Sequence, residues 1–149
     1  MKHPYWTALL GGATVSLLPT WLISKAVQRF PALAPEELEI VSEFFGNGMG
    51  AAQFLVFCII VFILPQAEEW LFRGVLWNFL EGKAGVPKRF VWVTISIMFA
   101  VVHIEPLHVV GLLPLSFFLG WLRLKTGGIG PSVVAHVTNN IVACLLMVL

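Results

Sequence analysis

Long runs without a charged side chain dominate this sequence and leave few folds open to it. The first runs from Tyr5 to Ser24. The second runs from Gly48 to Ala67 and resumes past a charged patch to Leu80. The third runs from Phe90 to Val102, the fourth lies within Val109 to Leu122, and the last within Ile129 to Leu149. A helix needs about 20 apolar residues to cross ~30 Å of hydrocarbon. Lipid offers the backbone no hydrogen bonds, so such runs fold as helices. Of the 149 residues, 58% are hydrophobic and 11% are charged, against about 25% charged in a soluble domain. A soluble domain of this length buries only about two-thirds of what its unfolded chain exposes, too little to hide so much apolar surface. The expected fold is an all-α membrane protein, a bundle of five to six transmembrane helices with an intramembrane cavity. It forms a single transmembrane domain over residues 1–149.

Breakers separate the runs: Pro31 and Pro35; Gly46, Gly48 and Gly50; Gly82, Gly85 and Pro87; Pro106; and Gly127, Gly128, Gly130 and Pro131. Pro131 suits the first turn of the final helix. Pro114 suits the start of the fourth helix rather than a kink, which leaves Glu105 to Leu113 as a partly embedded connection. A break near Glu68 would raise the count from five helices to six. The first run follows Lys2 as a signal peptide would, but it is long for one, and Ser24-Lys25-Ala26 is a poor cleavage site. It reads as a retained membrane helix. Cys58 and Cys144 sit in apolar stretches without a CxxC partner and read as small core residues.

The net charge of +1 points to neither nucleic acid nor an acidic partner. Its distribution sets orientation. With a cytoplasmic amino terminus and five crossings, Lys2, Lys83, Lys88, Arg89, Arg123 and Lys125 lie inside. Only Lys25 and Arg29 lie outside, with the acidic group Glu36, Glu37, Glu39 and Glu43.

Ionisable residues within apolar spans cost about 2.5–3.5 kcal/mol each on insertion, which makes them functional candidates. Three clusters qualify: Glu68-Glu69…Arg73, Phe99…His103, and His136…Asn139-Asn140. Residues four apart share a helix face, so Glu69 and Arg73 are expected to pair. Glu68, about 100° away around the helix, is free to point into the bundle. His136 and Asn140 share a face in the same way, as do Phe99 and His103, where the aromatic ring would wall a pocket. Each cluster has a plainer reading, and a lone membrane histidine often only hydrogen-bonds a neighbouring helix. Glu69 with Arg73 could be a structural pair, and Asn139 and Asn140 could be interhelical contacts of about 0.6–2 kcal/mol. One unpaired carboxylate, two histidines and an asparagine together make a costly set to keep for packing alone.

In this order the clusters resemble the CAAX protease and bacteriocin-processing family of intramembrane endopeptidases, whose motifs are EExxxR, FxxxH and HxxxN or HxxxB. The stretch Gly120-Trp121-Leu122-Arg123-Leu124-Lys125-Thr126-Gly127-Gly128 is also similar to that family. The resemblance covers roughly Phe54 to Val142 and implies a catalytic core of about residues 51–149 with few added helices. It implies that Glu68 activates a water with help from His103, and that His136 and Asn140 stabilise the oxyanion. Glu69, Arg73, Phe99 and Asn139 would be supporting residues. The substrate it implies is a peptide or membrane-anchored protein, cut at a C-terminal signal or CAAX-like sequence. The setting it implies is a lipid bilayer, such as a bacterial inner membrane.

Two points stay open at this stage. The favoured mechanism uses no cofactor, but Glu68, His103 and His136 also make a reasonable zinc set. The same polar residues would also serve a non-catalytic membrane protein, either a proton or ion conductor or an interaction or immunity scaffold. Depth raises a further question. Glu68 lies about 18 Å along a helix from the basic loop, whereas His136 lies about 8 Å from that side. Either the second helix projects from the membrane or it breaks after Arg73.

Overall fold

The computed structural model describes residues 1, 3–33, 43–44 and 50–148, with side chains to Leu146. Lys2, Pro35, Glu36, Glu37, Glu39, Gly46, Gly48 and Leu149 lie outside the described residues. Among those described the secondary structure is helical, without strands. Helix α1 spans Pro4–Thr14 and α2 spans Leu17–Arg29, the two making one apolar rod interrupted at Val15 and Ser16. Helix α3 runs from Ala51 to Glu81. Helices α4, α5 and α6 span Lys88–Val101, Pro106–Thr126 and Gly130–Val148. Each apolar run of the sequence is therefore a helical rod, and the chain is an all-α membrane bundle. Three rods, Pro4–Arg29, Ala51–Glu81 and Pro106–Thr126, are long and apolar enough to cross a bilayer. Helix α4, at 14 residues, rises about 21 Å.

The bundle is turned inside out relative to a soluble protein. Trp6, Leu10, Leu18, Phe54, Ile63, Phe79 and Phe90 stand clear of other protein surface, whereas Glu69, Arg73, Ser96, Ser116 and His136 are buried. Two apolar clusters fill the interior. Ala8, Leu115, Leu119, Leu122 and Ala135 join α1, α5 and α6. Phe72, Trp77, Val91, Ile95 and Phe99 join α3 and α4. Lipid tails are as apolar as these side chains, so the gain comes from close fit rather than from leaving water. Small residues supply that fit. A Cβ on Gly12 would come 2.8 Å from the Ala135 Cα, and one on Gly120 would come 2.6 Å from Trp92.

Helix α3 runs on past Arg73 without a break. It contains two π-helical turns, Ile59–Ile63 and Trp70–Leu76, and continues through both. Pro65 accounts for the first. Proline lacks an N–H and its ring crowds the carbonyl four residues earlier, and widening the preceding turn relieves that clash. In the widened turn the Leu64 N–H donates to the Ile59 carbonyl. The next carbonyl in that register, Ile60, would face the nitrogen of Pro65, which has no hydrogen to give.

The fourth helix differs from expectation. It begins at Pro106, not Pro114, and Pro114 lies inside it. Proline at the first turn forfeits nothing, and the Glu105 carboxylate caps the helix by accepting from the His108 N–H at 2.6 Å. The bond that Pro114 removes is tolerated because the rest of the helix is satisfied and packed. At the other end Gly127 closes the helix in the left-handed region, φ 74°.

Candidate functional site

Glu68 and Glu69 occupy the α-helical stretch Leu64–Glu69 between the two π-turns. His136 and Asn140 project one turn apart from α6, and His103 follows the end of α4. The structure brings Glu68 and Glu69 to one imidazole, that of His136. His136 Nδ1 lies 3.1 Å from Glu69 Oε1, and its Nε2 lies 3.6 Å from Glu68 Oε2. Glu69 has no exposed surface, while the Glu68 side chain retains 26%. The histidine ring thus stands between a sealed carboxylate and an accessible one.

Glu69 Oε1 also takes a hydrogen bond from Arg73 Nη1 at 2.9 Å, the pair expected from their spacing. Both side chains are wholly buried. An ion pair removed from water needs further hydrogen bonds to survive, and here they come from neighbouring helices. Arg73 Nη2 donates to the Ser116 hydroxyl at 2.8 Å and to its carbonyl at 3.1 Å. Ser116 Oγ donates to the Ser96 carbonyl at 2.8 Å, and Ser96 Oγ returns a bond to the Ser116 carbonyl at 3.1 Å. The Arg73 guanidinium also lies over the Phe99 ring at 4.3 Å. Arg73 thereby ties α3 to α4 and α5. Glu69 Oε2 and Arg73 Nε are buried without a hydrogen-bond partner among the described residues.

A carbonyl or a paired carboxylate only accepts hydrogen bonds, which fixes the ring tautomers. His136 Nδ1 donates to Glu69, so in the neutral ring its Nε2 carries a lone pair towards Glu68. His103 Nδ1 donates to the Phe99 carbonyl at 2.9 Å, which leaves its Nε2 as the free nitrogen. Phe99 lies between the two imidazoles, 5.2 Å from His103 and 5.5 Å from His136 by ring centres. It is fully buried and, as its spacing suggested, shares a face with His103. The contacts of His103 run to Phe99 rather than to Glu68. The turn after His103 carries Ile104 at φ 62°, a conformation a β-branched residue adopts only under constraint.

Asn140 makes a contact that the sequence did not suggest. Its Nδ2 donates to the Ile60 carbonyl at 3.3 Å, the carbonyl that Pro65 leaves without a backbone donor. The second π-turn is served in the same way. Arg123 Nε donates to the Arg73 carbonyl at 3.0 Å. Each widened turn of α3 therefore has a carbonyl capped by a side chain from another helix. Asn139, beside Asn140, is buried. Sequence reasoning missed Ser96, Ser116 and the contact from Glu69 to His136. Serines in apolar helices carry no periodic signal, and nothing in the spacing joins residues 67 positions apart. Arg123 lay within a family-like stretch, but its target was not visible.

The zinc alternative needs Glu68, His103 and His136 to converge. Among the described residues no three His, Cys, Asp or Glu side chains gather as a metal-binding group. As they stand, Glu68 approaches His136 while His103 turns to the Phe99 carbonyl.

Residues 50–142, more than half the chain, match the family described as type II CAAX prenyl endopeptidase, Rce1-like. The chain belongs to the Rce1-like family. The matched region holds all three polar clusters, from the start of α3 to just past Asn140 in α6. Its family and its long apolar helices make it an integral membrane protein. Membership in the Rce1-like family points to protease activity on CAAX-type peptides at the bilayer. No curated protein and no solved structure matches the chain.

Proposed function

We propose that the chain is an intramembrane endopeptidase in which Glu68 acts as general base on a water. The observation that carries this reading is the placement of His136 between Glu68 and Glu69 inside an apolar bundle. Glu68 is the carboxylate with open surface, so substrate and water have access to it. Glu69, sealed and held by Arg73, orients the His136 ring through Nδ1, as a buried carboxylate orients a catalytic histidine.

Hydrolysis proceeds by attack of the water oxygen on the peptide carbonyl carbon as Glu68 takes the water's proton. The protonated Glu68 then returns that proton to the leaving amide nitrogen as the C–N bond breaks. His136 in its doubly protonated form donates from Nδ1 to Glu69 and from Nε2 to the oxyanion, and Asn140 is the second donor between these events. Asn140 keeps one amide hydrogen for this role, because an amide has two and the contact with Ile60 uses one. His103 Nε2 accepts from the water and helps align it. Preorganised donors of this kind act strongly where water is excluded. The substrate is a peptide or membrane-anchored protein cut at a C-terminal signal or CAAX-like sequence. The ends bearing Lys83, Lys88, Arg89, Arg123 and Lys125 face the cytoplasm of a bacterial inner membrane, with the amino terminus on the same side.

The test is cleavage of a CAAX-like peptide by the full chain in membranes. Glu68→Gln keeps shape and hydrogen bonding but loses the base, so turnover should fall by about 10²–10⁴-fold. Turnover equal to that of the unmodified chain would remove Glu68 from the mechanism.

A further inference from the structure

At the end of the bundle where α3 stops, α4 starts and α5 stops, a cavity of about 380 Å³ opens between the helices. Trp77, Asn78, Glu81, Lys88, Arg123 and Gly127 line it. It lies apart from Glu68 and His136, and the proposed hydrolysis does not use it. Its size falls within the range of small-molecule sites, about 300–1,000 Å³.

Charge at this end is one-sided. Lys83 in the α3–α4 connection, Lys88 and Arg89 in the first turn of α4, and Arg123 and Lys125 in the last turn of α5 gather here, and Glu81 is the one acidic residue between Glu69 and Glu105. No acidic residue follows Glu105. Glu81 is already engaged, holding Lys88 Nζ at 2.7 Å through Oε1 and accepting from Trp77 Nε1 at 2.7 Å through Oε2. It cannot neutralise the remaining cations. Arg123 is fixed in place by three contacts. Its Nε donates to the Arg73 carbonyl, its Nη2 donates to Asn78 Oδ1 at 2.9 Å, and its plane lies over the Trp77 ring at 5.6 Å. Among the described residues its Nη1 makes no hydrogen bond. A guanidinium held in place with donors to spare suits a phosphate, which it can grip along an edge. Lys88, with 69% of its side chain exposed, supplies a second cation at the mouth.

The geometry points to a phosphate-binding site in this cavity, with Arg123 as the fixed anchor and the exposed Lys88, beside Glu81, as the second cation. The ligand is the phosphodiester of an anionic lipid headgroup or a free phosphate. Basic pockets between helix ends at the membrane surface select anionic headgroups in this way. The Trp77 indole lies beside the anchor, so the part of the emission change that a Trp77→Phe variant loses reports occupancy.

The test is titration of the purified full chain in detergent with short-chain phosphatidylglycerol, with phosphatidylcholine as control, followed by tryptophan emission. Phosphatidylglycerol should saturate the signal at concentrations where phosphatidylcholine does not. Lys88→Gln should weaken binding about fivefold, the worth of one cation near an anionic surface. Glu81→Gln removes the lone acid and should tighten binding. A purely structural role for the Glu81–Lys88 pair would move neither affinity in that opposed way. Displacement of the lipid by inorganic phosphate at constant ionic strength assigns the site to the free anion, and resistance to displacement assigns it to the lipid. Equal binding of the two lipids, or affinities unchanged in both variants, would overturn the proposal. Because neither residue touches the Glu68–His136 pair, this outcome is independent of whether the chain cleaves peptides.

Discussion

Glu69 and His136, 67 positions apart in sequence, meet at 3.1 Å through Oε1 and Nδ1. The same oxygen accepts from Arg73, so one carboxylate fixes both a guanidinium and an imidazole. A sealed anion of this kind is stable only while its partners stay.

Removing the cation alone should therefore be costly. Arg73→Met leaves the Glu69 carboxylate buried without its guanidinium, and a broken buried pair costs about 3–5 kcal/mol. The double change Glu69→Gln with Arg73→Met removes both charges and should recover much of that loss. Thermal unfolding in a fixed detergent checks the order. A double variant no more stable than Arg73→Met would show that the charge pair is not the source of the cost.

Pro65 and Asn140 should be coupled. Asn140→Ala strips the Ile60 carbonyl of its donor and should cost about 0.6–1.7 kcal/mol, the range for interhelical hydrogen bonds in membranes. Pro65→Ala restores a backbone N–H that can reach that carbonyl, so in its background the cost of Asn140→Ala should shrink. A double-mutant cycle measures the difference. If Asn140 also serves the oxyanion, Asn140→Ala lowers kcat by about 10²–10³-fold with KM little changed. Pro65→Ala would not rescue that loss.

Gly12 marks the closest approach of α1 to α6. A larger residue there must push Ala135 away, and overpacking typically costs about 1–3 kcal/mol. Gly12→Val should lower the unfolding temperature and loosen α1, seen as faster proteolysis after solubilisation. An unchanged profile would mean that α1 does not dock where the structure has it.

The base assignment also predicts a response to chelators. With Glu68 acting on water directly, cleavage should survive prolonged treatment with a strong zinc chelator, measured against the untreated enzyme. Loss on treatment and return on adding zinc would require Glu68, His103 and His136 to rearrange into a metal site.

Regular helix geometry made part of this site legible. The four-residue spacing of Glu69 and Arg73 gave their pairing, and that of Phe99 and His103 gave their ring contact. The spacing of His136 and Asn140 put both on the face of α6 that meets α3. What the spacing could not give was the contact between faces. His136 binds Glu69 as well as approaching Glu68, because the ring is wide enough to present one nitrogen to each of two neighbouring residues. The π-turns were hidden for another reason. Counting at 3.6 residues per turn assumes one register throughout, and α3 changes register twice. Pro65 was the one local hint, and it reads equally well as a break. Pro114 misled in the opposite direction, since a proline that can start a helix can also sit within one that is otherwise satisfied.

Helix α4 is about 21 Å long, well short of a typical ~30 Å hydrocarbon core. A short span is matched by local thinning of the bilayer around it. His103 follows the end of this helix, so thinning around so short a rod would bring the membrane surface nearer to it. Turnover should accordingly depend on acyl-chain length, and thick, sterol-rich membranes would resist the indentation that thin ones grant.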